Sequence, residues 1–276
     1  MADGDRGDTA EPFELAIIGG GNMGAALVGG LLQAGAVARS QLVVCEVAPG
    51  RRAQLEEMFP GVSIVDELPP CSAAVVAVKP GDVAPAARAA AAAGARRLLS
   101  IAAGVRTSVI EESTGRETED IAVVRAMPNT PALVGQGATA IAGGLGATDA
   151  DLDWAETILG AVGMVVRVEE DQLDAVTALS GSGPAYVFLV AEALIDAGVR
   201  AGLSPALAQA LTIQLLVGSS ALLADRNDPA GLREMVTSPG GTTAAGLRVL
   251  DDRQVRVAFS DAVQAAAQRS RELAGT

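Results

Sequence analysis

Histidine is missing from this sequence, and its absence removes several kinds of chemistry. A chain without histidine has no His general base, no Ser-His or Cys-His pair and no His-ligated metal. The two cysteines, Cys45 and Cys71, are too few for a disulfide framework or a zinc site, so we expect no metal site. Catalysis must use hydroxyls, carboxylates, lysine or a cofactor. Hydride transfer needs least from side chains, because the cofactor carries the difficult step.

Aromatic and basic residues are also scarce. Aromatics make up 2% of the chain against 50% hydrophobic residues, so the core must consist of Ala, Val, Leu and Ile. The 20 basic residues are outnumbered by 33 acidic ones, and the formal net charge is −13. Such an acidic protein is a poor candidate for binding nucleic acid or an anionic membrane surface. The simplest interpretation of the charge is solubility.

Export and membrane signals are weak. The segment Met1 to Glu11 is acidic and Gly-rich, which is unlike a signal peptide and predicts a disordered lead-in. The most apolar stretch, Tyr186–Val199, is interrupted by Glu192 and Asp196, so no membrane span is expected. Both cysteines lie in or beside apolar strand-like runs, which favours buried free thiols and a reducing compartment. We therefore expect a soluble, cytoplasmic protein.

Short apolar runs alternate with helical patterns in the first half of the chain. The predicted strands are 15–18, 42–45, 62–65, 73–78, 98–101 and 121–125, followed by 139–142 and 165–168. The predicted helices are 23–34, 51–59, 83–93, 108–113 and 149–161, the last with a capping box of Thr148 and Asp151 at its start. Apolar strands that alternate with helices indicate a doubly wound, mostly parallel sheet of the α/β class.

The strand pattern stops at Val168, and everything after it is predicted helical. The helices cover 172–179, 185–201, 205–224, 230–236, 244–250 and 255–273. Several of them are apolar around much of their circumference, which is more than a helical domain of this size can bury by itself. We therefore predict an obligate dimer that swaps these helices or packs through them; a compact monomeric bundle is the alternative.

A glycine motif follows the first strand and opens the first helix. It covers Gly19 to Gly24 and has the form G-x-G-x-x-G. In such a motif Gly19 permits the tight turn, Gly21 lets a pyrophosphate approach the backbone, and Gly24 allows close packing of helix on strand. The N–H groups of the helix N-terminus then face the phosphates. The motif, with Ile18, Asn22 and Met23 beside its glycines, predicts dinucleotide binding.

Glu46 lies at the end of the second strand, where a carboxylate often binds the ribose 2′-hydroxyl of NAD. Arg51 and Arg52 follow closely and offer a positive charge to the 2′-phosphate of NADP instead. The alternative is that all three side chains are solvated charges of a loop. The residues therefore leave the choice between NADPH and NADH open.

Two further segments follow predicted strands and are expected at the same edge of the sheet. The first is Ala77, Val78, Lys79 and Pro80, in which Lys79 is a candidate cofactor contact or a surface lysine before a rigid turn. The second runs from Ala126 to Pro131 and includes Met127, Pro128 and Asn129. Its small and rigid residues beside one amide suit a wall near a nicotinamide ring; a two-proline turn is the alternative.

Two loops in the helical half are also rich in glycine. Ser180 to Pro184 precedes a long helix and is either a hinge or a place of close backbone approach. Thr237 to Thr243 contains Ser238, Gly240, Gly241 and Thr242 and precedes another helix. Its glycines free N–H groups to point into one concavity, and the hydroxyls add donors, which predicts a site for a small carboxylate.

Taken together, these segments resemble the pyrroline-5-carboxylate reductase family. The matching pieces are 18–24, 77–80, 125–131, Asp174 with 178–186, and 236–243, in the family's order and over nearly the whole chain after Glu11. The resemblance implies a Rossmann dinucleotide-binding domain over 12–168 and a helical dimerisation and substrate domain over 169–276. It also implies dimers that assemble into decamers as pentamers of dimers.

The resemblance further implies what each part of the site does. The first two motifs hold NADPH, or NADH in its place, and the Ser238–Thr243 loop binds the carboxylate of 1-pyrroline-5-carboxylate. The Thr243 hydroxyl lies near the ring nitrogen, and Asn129 borders the substrate. The expected reaction is reduction of this cyclic imine to L-proline, the last step of proline biosynthesis. Glu46 departs from the family pattern and leaves the cofactor preference uncertain.

Two other functions stay open at this stage. One is a reductase of the same architecture that acts on another small carboxylate, such as a 3-hydroxy acid, for which Lys79 is the available proton donor. The other is a non-catalytic dinucleotide-binding regulator that senses redox state through oligomerisation. The carboxylate loop at Ser238–Thr243 argues against the regulator, because a sensor needs no second ligand site.

Overall fold

The computed structural model describes residues 11–115 and 120–275, so the predicted lead-in lies outside the described residues except for Glu11. Contacts divide the described chain into two compact units. Unit 1 contains the residues up to Gly181 together with those from Ala267 onward, and unit 2 contains Ser182–Ala266. The strands end near the predicted boundary, but unit 1 continues beyond it because Leu173 packs against Ala140 and Ala142.

Unit 1 is built on an eight-stranded sheet. Its strands are β1 (Phe13–Ile18), β2 (Leu42–Cys45), β3 (Ser63–Val65), β4 (Cys71–Val76), β5 (Arg97–Ser100), β6 (Ala122–Met127), β7 (Gly137–Gly143) and β8 (Gly163–Arg167). Their order in the sheet is β3-β2-β1-β4-β5-β6-β7-β8. Every neighbouring pair is parallel except β6 and β7. The order reverses between β1 and β4, which is where doubly wound sheets bind their ligands.

Helices cover both faces of this sheet. They are α1 (Asn22–Ala34), α2 (Pro49–Met58), α3 (Val83–Ala92), α4 (Thr107–Thr114), α5 (Asp149–Gly160) and the short α6 (Leu173–Val176). Leu15 and Ile17 of β1 pack in one apolar cluster, with residues of α1, α2 and α5. Ala16 and Ile18 point the other way into a second cluster, with residues of α3 and α4. This alternation confirms the predicted doubly wound α/β fold.

Most predicted elements agree with the structure to within a few residues, and the capping box of α5 is confirmed. The Asp151 carboxylate accepts hydrogen bonds from the Thr148 N–H at 2.9 Å and from its hydroxyl at 2.6 Å. The segment predicted as a helix over 172–179 is helical, but it is not one regular α-helix. Residues there form a 3₁₀ turn, then α6, and then a π-helical turn over Thr177–Gly181 that runs into the next helix.

Unit 2 is entirely helical. It contains α7 (Gly183–Arg200), α8 (Pro205–Arg226), α9 (Pro229–Met235), α10 (Thr242–Asp252) and the first part of α11 (Val255–Leu273). Large apolar side chains on α7 and α8 are exposed, and the most exposed are Phe188, Leu189, Leu211, Leu215 and Val217. The prediction of surplus apolar surface on these helices is therefore confirmed.

Two helical segments are long and apolar enough to cross a membrane, although the sequence predicts no membrane span. By length and composition alone, the segment Glu170–Arg200 and α8 qualify, with mean hydropathies of 1.4 and 1.6. The sequence pattern did not indicate α8 as a candidate, because Gln209, Thr212 and Gln214 interrupt its apolar run without adding charge. Length and hydropathy are weak signals of a span when they concern only two helices, because helices that pack against protein have the same composition.

Candidate active site

The candidate cofactor residues of unit 1 meet at one edge of the sheet. Ile18 of β1 pairs with Cys45 of β2 and Val76 of β4, and Val76 in turn pairs with Ser100 of β5. Because these strands are parallel, the segments that follow them emerge at the same edge. The structure therefore brings together the glycine motif, Glu46, the 77–80 segment and the turn after β6, as the sequence predicts.

Two glycines of the motif are required by close packing. Gly19 has a φ of +103°, and a Cβ at this position would lie 2.5 Å from the Ala77 carbonyl oxygen. A Cβ on Gly24 would lie 2.1 Å from the Gly19 carbonyl oxygen. The motif thus allows the first helix to approach β1 and the segment after β4 without a gap.

Gly21 differs, because it faces open space. No atom lies within 4 Å of where its Cβ would stand, and the first turn of α1 has no side-chain cap. The N–H groups of this turn are therefore free to bind an anion, and a side chain on Gly21 would occupy the space beside them. These features fit the pyrophosphate of a dinucleotide, with Asn22 and Met23 supplying N–H groups.

Glu46 and Arg51 hold the Gly20 peptide from both sides. One carboxylate oxygen of Glu46 accepts from the Gly20 N–H at 2.9 Å, and the other accepts from the Ala48 N–H at 2.9 Å. Arg51 donates from Nε to the Gly20 carbonyl at 2.7 Å. Both side chains thus stabilise the glycine motif, a role that the sequence did not indicate.

Arg52 is turned away from the motif. Its guanidinium donates to the carbonyls of Glu46 and Val47 and lies 3.4 Å from a carboxylate oxygen of Asp66. Of the two arginines considered for a 2′-phosphate, only Arg51 lies beside the glycine motif.

Lys79 is the only lysine of the chain and is exposed. It precedes a 3₁₀ turn, Pro80–Asp82, that begins directly at the sheet edge. Ala77 continues the ladder by donating its N–H to the Ile18 carbonyl at 2.8 Å, so the 77–80 segment borders the glycine motif. The Lys79 ammonium is therefore available at the edge where a dinucleotide would lie.

Met127, Pro128 and Asn129 form the wall at the end of β6. The Asn129 side chain is almost fully buried, and both of its polar atoms have backbone partners. Its Nδ2 donates to the Ser180 carbonyl at 3.0 Å, and its Oδ1 accepts from the Ala138 N–H at 2.9 Å. The amide that the sequence suggested as a substrate contact is thus engaged inside unit 1.

A buried ion pair near this wall was missed by the sequence analysis. Arg125 of β6 lies 3.2 Å from one carboxylate oxygen of Glu170, which also accepts from the Thr107 N–H. The other oxygen of the same carboxylate accepts from the Thr107 hydroxyl. The pair joins the start of α4 to the segment that leaves the sheet. The strand pattern did not indicate this pair, because an arginine in an apolar strand only interrupts the apolar pattern and does not point to a partner.

The carboxylate loop lies in unit 2, between α9 and α10. Gly240 has a φ of +70°, and the Gly241 N–H bonds the Ser238 carbonyl at 3.0 Å, which closes a tight turn. The first turn of α10 has no side-chain cap. Thr243 is half-buried and Thr242 is exposed. The loop therefore presents free N–H groups and hydroxyls at a helix N-terminus, which is the arrangement an anion needs.

Family comparisons match both parts of the chain. Residues 170–273 match a family model described as pyrroline-5-carboxylate reductase dimerisation. Residues 14–104 match one described as NADP oxidoreductase, coenzyme F420-dependent. The first match begins in the segment that carries Glu170 and covers all of unit 2.

Individual proteins are similar to this chain over nearly its whole length. The pyrroline-5-carboxylate reductase of Mycobacterium tuberculosis is 44% identical, over 94% of this chain and 96% of that protein. The solved structure of the Coxiella burnetii enzyme has a TM-score of 0.87 and 34% identity, over 96% of this chain and 100% of that one. That of Plasmodium falciparum, with NADP bound, has a TM-score of 0.81 and 30% identity, over 95% and 98% of the two chains.

These relatives are at least 30% identical to this chain along almost their whole length, and the two solved structures share its fold. By descent and by fold, the chain belongs to the pyrroline-5-carboxylate reductase family.

Proposed function

We propose that this protein reduces 1-pyrroline-5-carboxylate to L-proline with a hydride from a nicotinamide cofactor, the last step of proline biosynthesis. The observation that carries the proposal is the uncapped N-terminus of α10 behind the Ser238–Gly241 turn. A reductase of this family needs a place for a small carboxylate as well as one for a dinucleotide. The loop offers that place without a positively charged side chain.

In the proposed reaction, separate groups of residues bind the cofactor and the substrate. The glycine motif from Gly19 to Gly24 binds the pyrophosphate, Ala77–Pro80 borders the dinucleotide, and Met127 and Pro128 line the nicotinamide side. When bound, the cofactor supplies the hydride that the C=N carbon accepts. Ser238 and the N–H groups of Gly240, Thr242 and Thr243 hold the substrate carboxylate, while the Gly241 N–H closes the turn. Orientation of this kind contributes roughly 7–11 kcal/mol to rate acceleration in well-aligned reactions.

Thr243 is the proposed catalytic residue. Its hydroxyl has no hydrogen-bond partner within the described chain, and it sits in the first turn of α10, next to the carboxylate loop. We assign it a hydrogen bond to the ring nitrogen, where charge changes during reduction. Because the chain has no histidine, the proton at this nitrogen comes with the substrate, from Thr243 or from water.

We propose NADPH as the preferred cofactor, by a small margin over NADH. Arg51 stands beside the glycine motif and can meet a 2′-phosphate, which favours NADPH. The Glu46 carboxylate in the same place repels that phosphate. Both groups are partly exposed, so each contributes on the order of 1 kcal/mol and neither dominates.

The cofactor assignment is tested by two opposite charge changes. In Glu46→Gln the ratio of kcat/KM with NADPH to that with NADH should rise about three- to tenfold, and in Arg51→Gln it should fall by a similar factor. Either change also loosens the Gly20 peptide, but that affects both cofactors alike and cancels in the ratio. An unchanged ratio in both variants would show that neither side chain meets the ribose.

The remaining assignments concern the whole protein. We propose a homodimer, and a pentamer of dimers by resemblance to the family. We also propose a cytoplasmic location, where thiols stay reduced. Cys45 and Cys71 are buried and free, and burial raises the pKa of both thiols, that of Cys71 to about 11.

The function is tested directly by mixing the protein with 1-pyrroline-5-carboxylate and either reduced cofactor. Loss of cofactor absorbance together with formation of proline is the expected result. A small 3-hydroxy acid with the oxidised cofactor is the control, because a hydroxy-acid enzyme of this architecture would use that pair. Turnover of the control but not of the imine would contradict the proposal.

A further inference from the structure

The carbonyl of Ser180 lacks the donor that a regular helix would give it. In an α-helix this oxygen would accept from the N–H of residue 184, but residue 184 is a proline and has no N–H. In a π-helix the donor would be the next residue, but the Ala185 N–H bonds the Ser182 carbonyl at 3.0 Å. Ser180, the last residue but one of the π-helical turn, therefore has a carbonyl that needs a partner from elsewhere.

Asn129 supplies that partner. Its amide nitrogen donates to the Ser180 carbonyl at 3.0 Å, while its amide oxygen accepts from the Ala138 N–H of β7 at 2.9 Å. One buried side chain thus joins the turn after β6, the neighbouring strand and the π-helical turn. A buried carbonyl left without a donor is costly, so each of these bonds constrains the wall.

The π-helical turn also touches this wall directly. A Cβ on Gly181 would lie 2.7 Å from the terminal methyl carbon of Met127, so a larger residue there would displace this flexible side chain. Asn129 thus binds the backbone of this turn, and Gly181 of the same turn lies against the Met127 side chain. Met127, which we assign to the nicotinamide side, therefore has the π-helical turn as a neighbour.

We propose that Asn129 is a positioning residue of the reductase and not a substrate ligand. It holds the π-helical turn against Met127 and so fixes the wall that the nicotinamide ring would meet. The proposal rests on the proposed function, because it assigns Met127 to that wall. In this role, Asn129 acts by donating a hydrogen bond to the Ser180 carbonyl. A carboxyl group in its place can donate only when it is protonated.

The test is the pair Asn129→Asp and Asn129→Ala, each compared with the parent protein across pH 5–9. In Asn129→Asp the carboxylate still accepts from the Ala138 N–H but faces the Ser180 carbonyl with a lone pair. Near pH 8 we expect kcat to fall about tenfold, with KM for the imine within about twofold. Burial and the facing Ser180 carbonyl disfavour the charged carboxylate and raise the pKa of this carboxyl into the range tested. As the pH decreases toward 5, the protonated group donates to Ser180 and kcat recovers relative to the parent.

Asn129→Ala lacks a titratable group, so its kcat relative to the parent should stay low and independent of pH. Melting without substrate or cofactor gives a second readout: Asn129→Asp should melt below the parent near pH 8 and approach it near pH 5. A substrate ligand would behave differently, with a raised KM for the imine and with melting unchanged.

The proposal is overturned if the kcat ratio of Asn129→Asp stays flat with pH, or if Asn129→Ala turns over like the parent. Failure of the proposed function is distinguishable from both results, because the parent itself would then leave the imine unreduced.

Discussion

At the scale of single residues, two glycines of the Gly19–Gly24 motif allow cofactor binding and folding to be tested separately. Gly21 has a φ of −61° and open space around it, so a larger residue fits the backbone. We expect Gly21→Val to melt within a few degrees of the parent but to lose measurable NADPH affinity in calorimetric titration, because its side chain fills the phosphate position.

Gly24→Val is the matched control for Gly21→Val. Its Cβ would lie 2.1 Å from the Gly19 carbonyl oxygen, so this change should lower the melting temperature as well as binding. NADPH affinity at the parent level in Gly21→Val would show that the pyrophosphate lies elsewhere.

The two threonines that open α10 make a second pair. Thr243→Ala should leave cofactor affinity unchanged and lower kcat about ten- to a hundredfold, because a hydrogen bond to a charged group contributes about 1.5–3 kcal/mol. Thr242→Ala should do much less, since its exposed hydroxyl is not assigned to the ring nitrogen. If both variants lose stability and neither loses turnover, the hydroxyls serve only the helix start. Steady-state kinetics with thermal melts separates the two cases.

At the scale of elements, the start of α5 provides a pH-dependent test. Burial raises the pKa of Asp151, but hydrogen bonds from Thr148 and the ion pair with Arg97 outweigh it and hold that pKa below its usual range. A carboxyl with a lowered pKa stabilises the fold above its unfolded-state pKa, about 3.9, and loses this effect as the pH falls through the folded-state pKa.

Asp151→Asn should therefore be less stable than the parent by about 1–2 kcal/mol at pH 7, and the difference should shrink below about pH 4. Urea unfolding at both pH values measures it. Asp153→Asn, on the same helix but paired with Arg167 at the surface, is the control and should stay within about 0.5 kcal/mol. Equal losses in the two variants at pH 7 would contradict the assigned role of Asp151.

Elements with a strong local signal were the predictable part of the fold. The glycine motif, the capping box at Thr148 and the apolar strands all depend on neighbours in sequence, and the structure has them where the sequence predicts. The π-helical turn over Thr177–Gly181 was not predictable in this way. It depends on a donor from Asn129, 51 residues away, which replaces the N–H that Pro184 lacks.

The site shows the same division. The sequence identifies the loops that reach the sheet edge, because parallel strands end together. It does not reveal that Glu46 and Arg51 hold Gly20 between them, or that Arg125 pairs with Glu170. Each of these contacts joins a charged side chain to a partner 26 to 45 positions away, and nothing in the local pattern of either partner indicates the other.

At the scale of the whole molecule, unit 2 has almost no core of its own. None of the residues of α7 is buried, and α8 buries only Ala208 and Thr212. Large apolar side chains such as Phe188, Leu189 and Leu211 are more than half exposed. At about 25 cal/mol per Å² of buried apolar surface, covering these helices with a second copy stabilises the protein by many kcal/mol. The match to a dimerisation family over 170–273 agrees with a protein partner for this surface.

We therefore predict that the smallest folded species is a dimer. Light scattering on serial dilution should give no mass below twice 27.6 kDa while circular dichroism still shows folded protein. Leu211→Glu, in the middle of α8, should weaken association and lower the melting temperature together, because folding and association are linked in an obligate dimer. Asp225→Ser, near the exposed end of the same helix, is the control and should change neither. A variant that remains folded and active as a monomer at low concentration would show that unit 2 is stable without its partner.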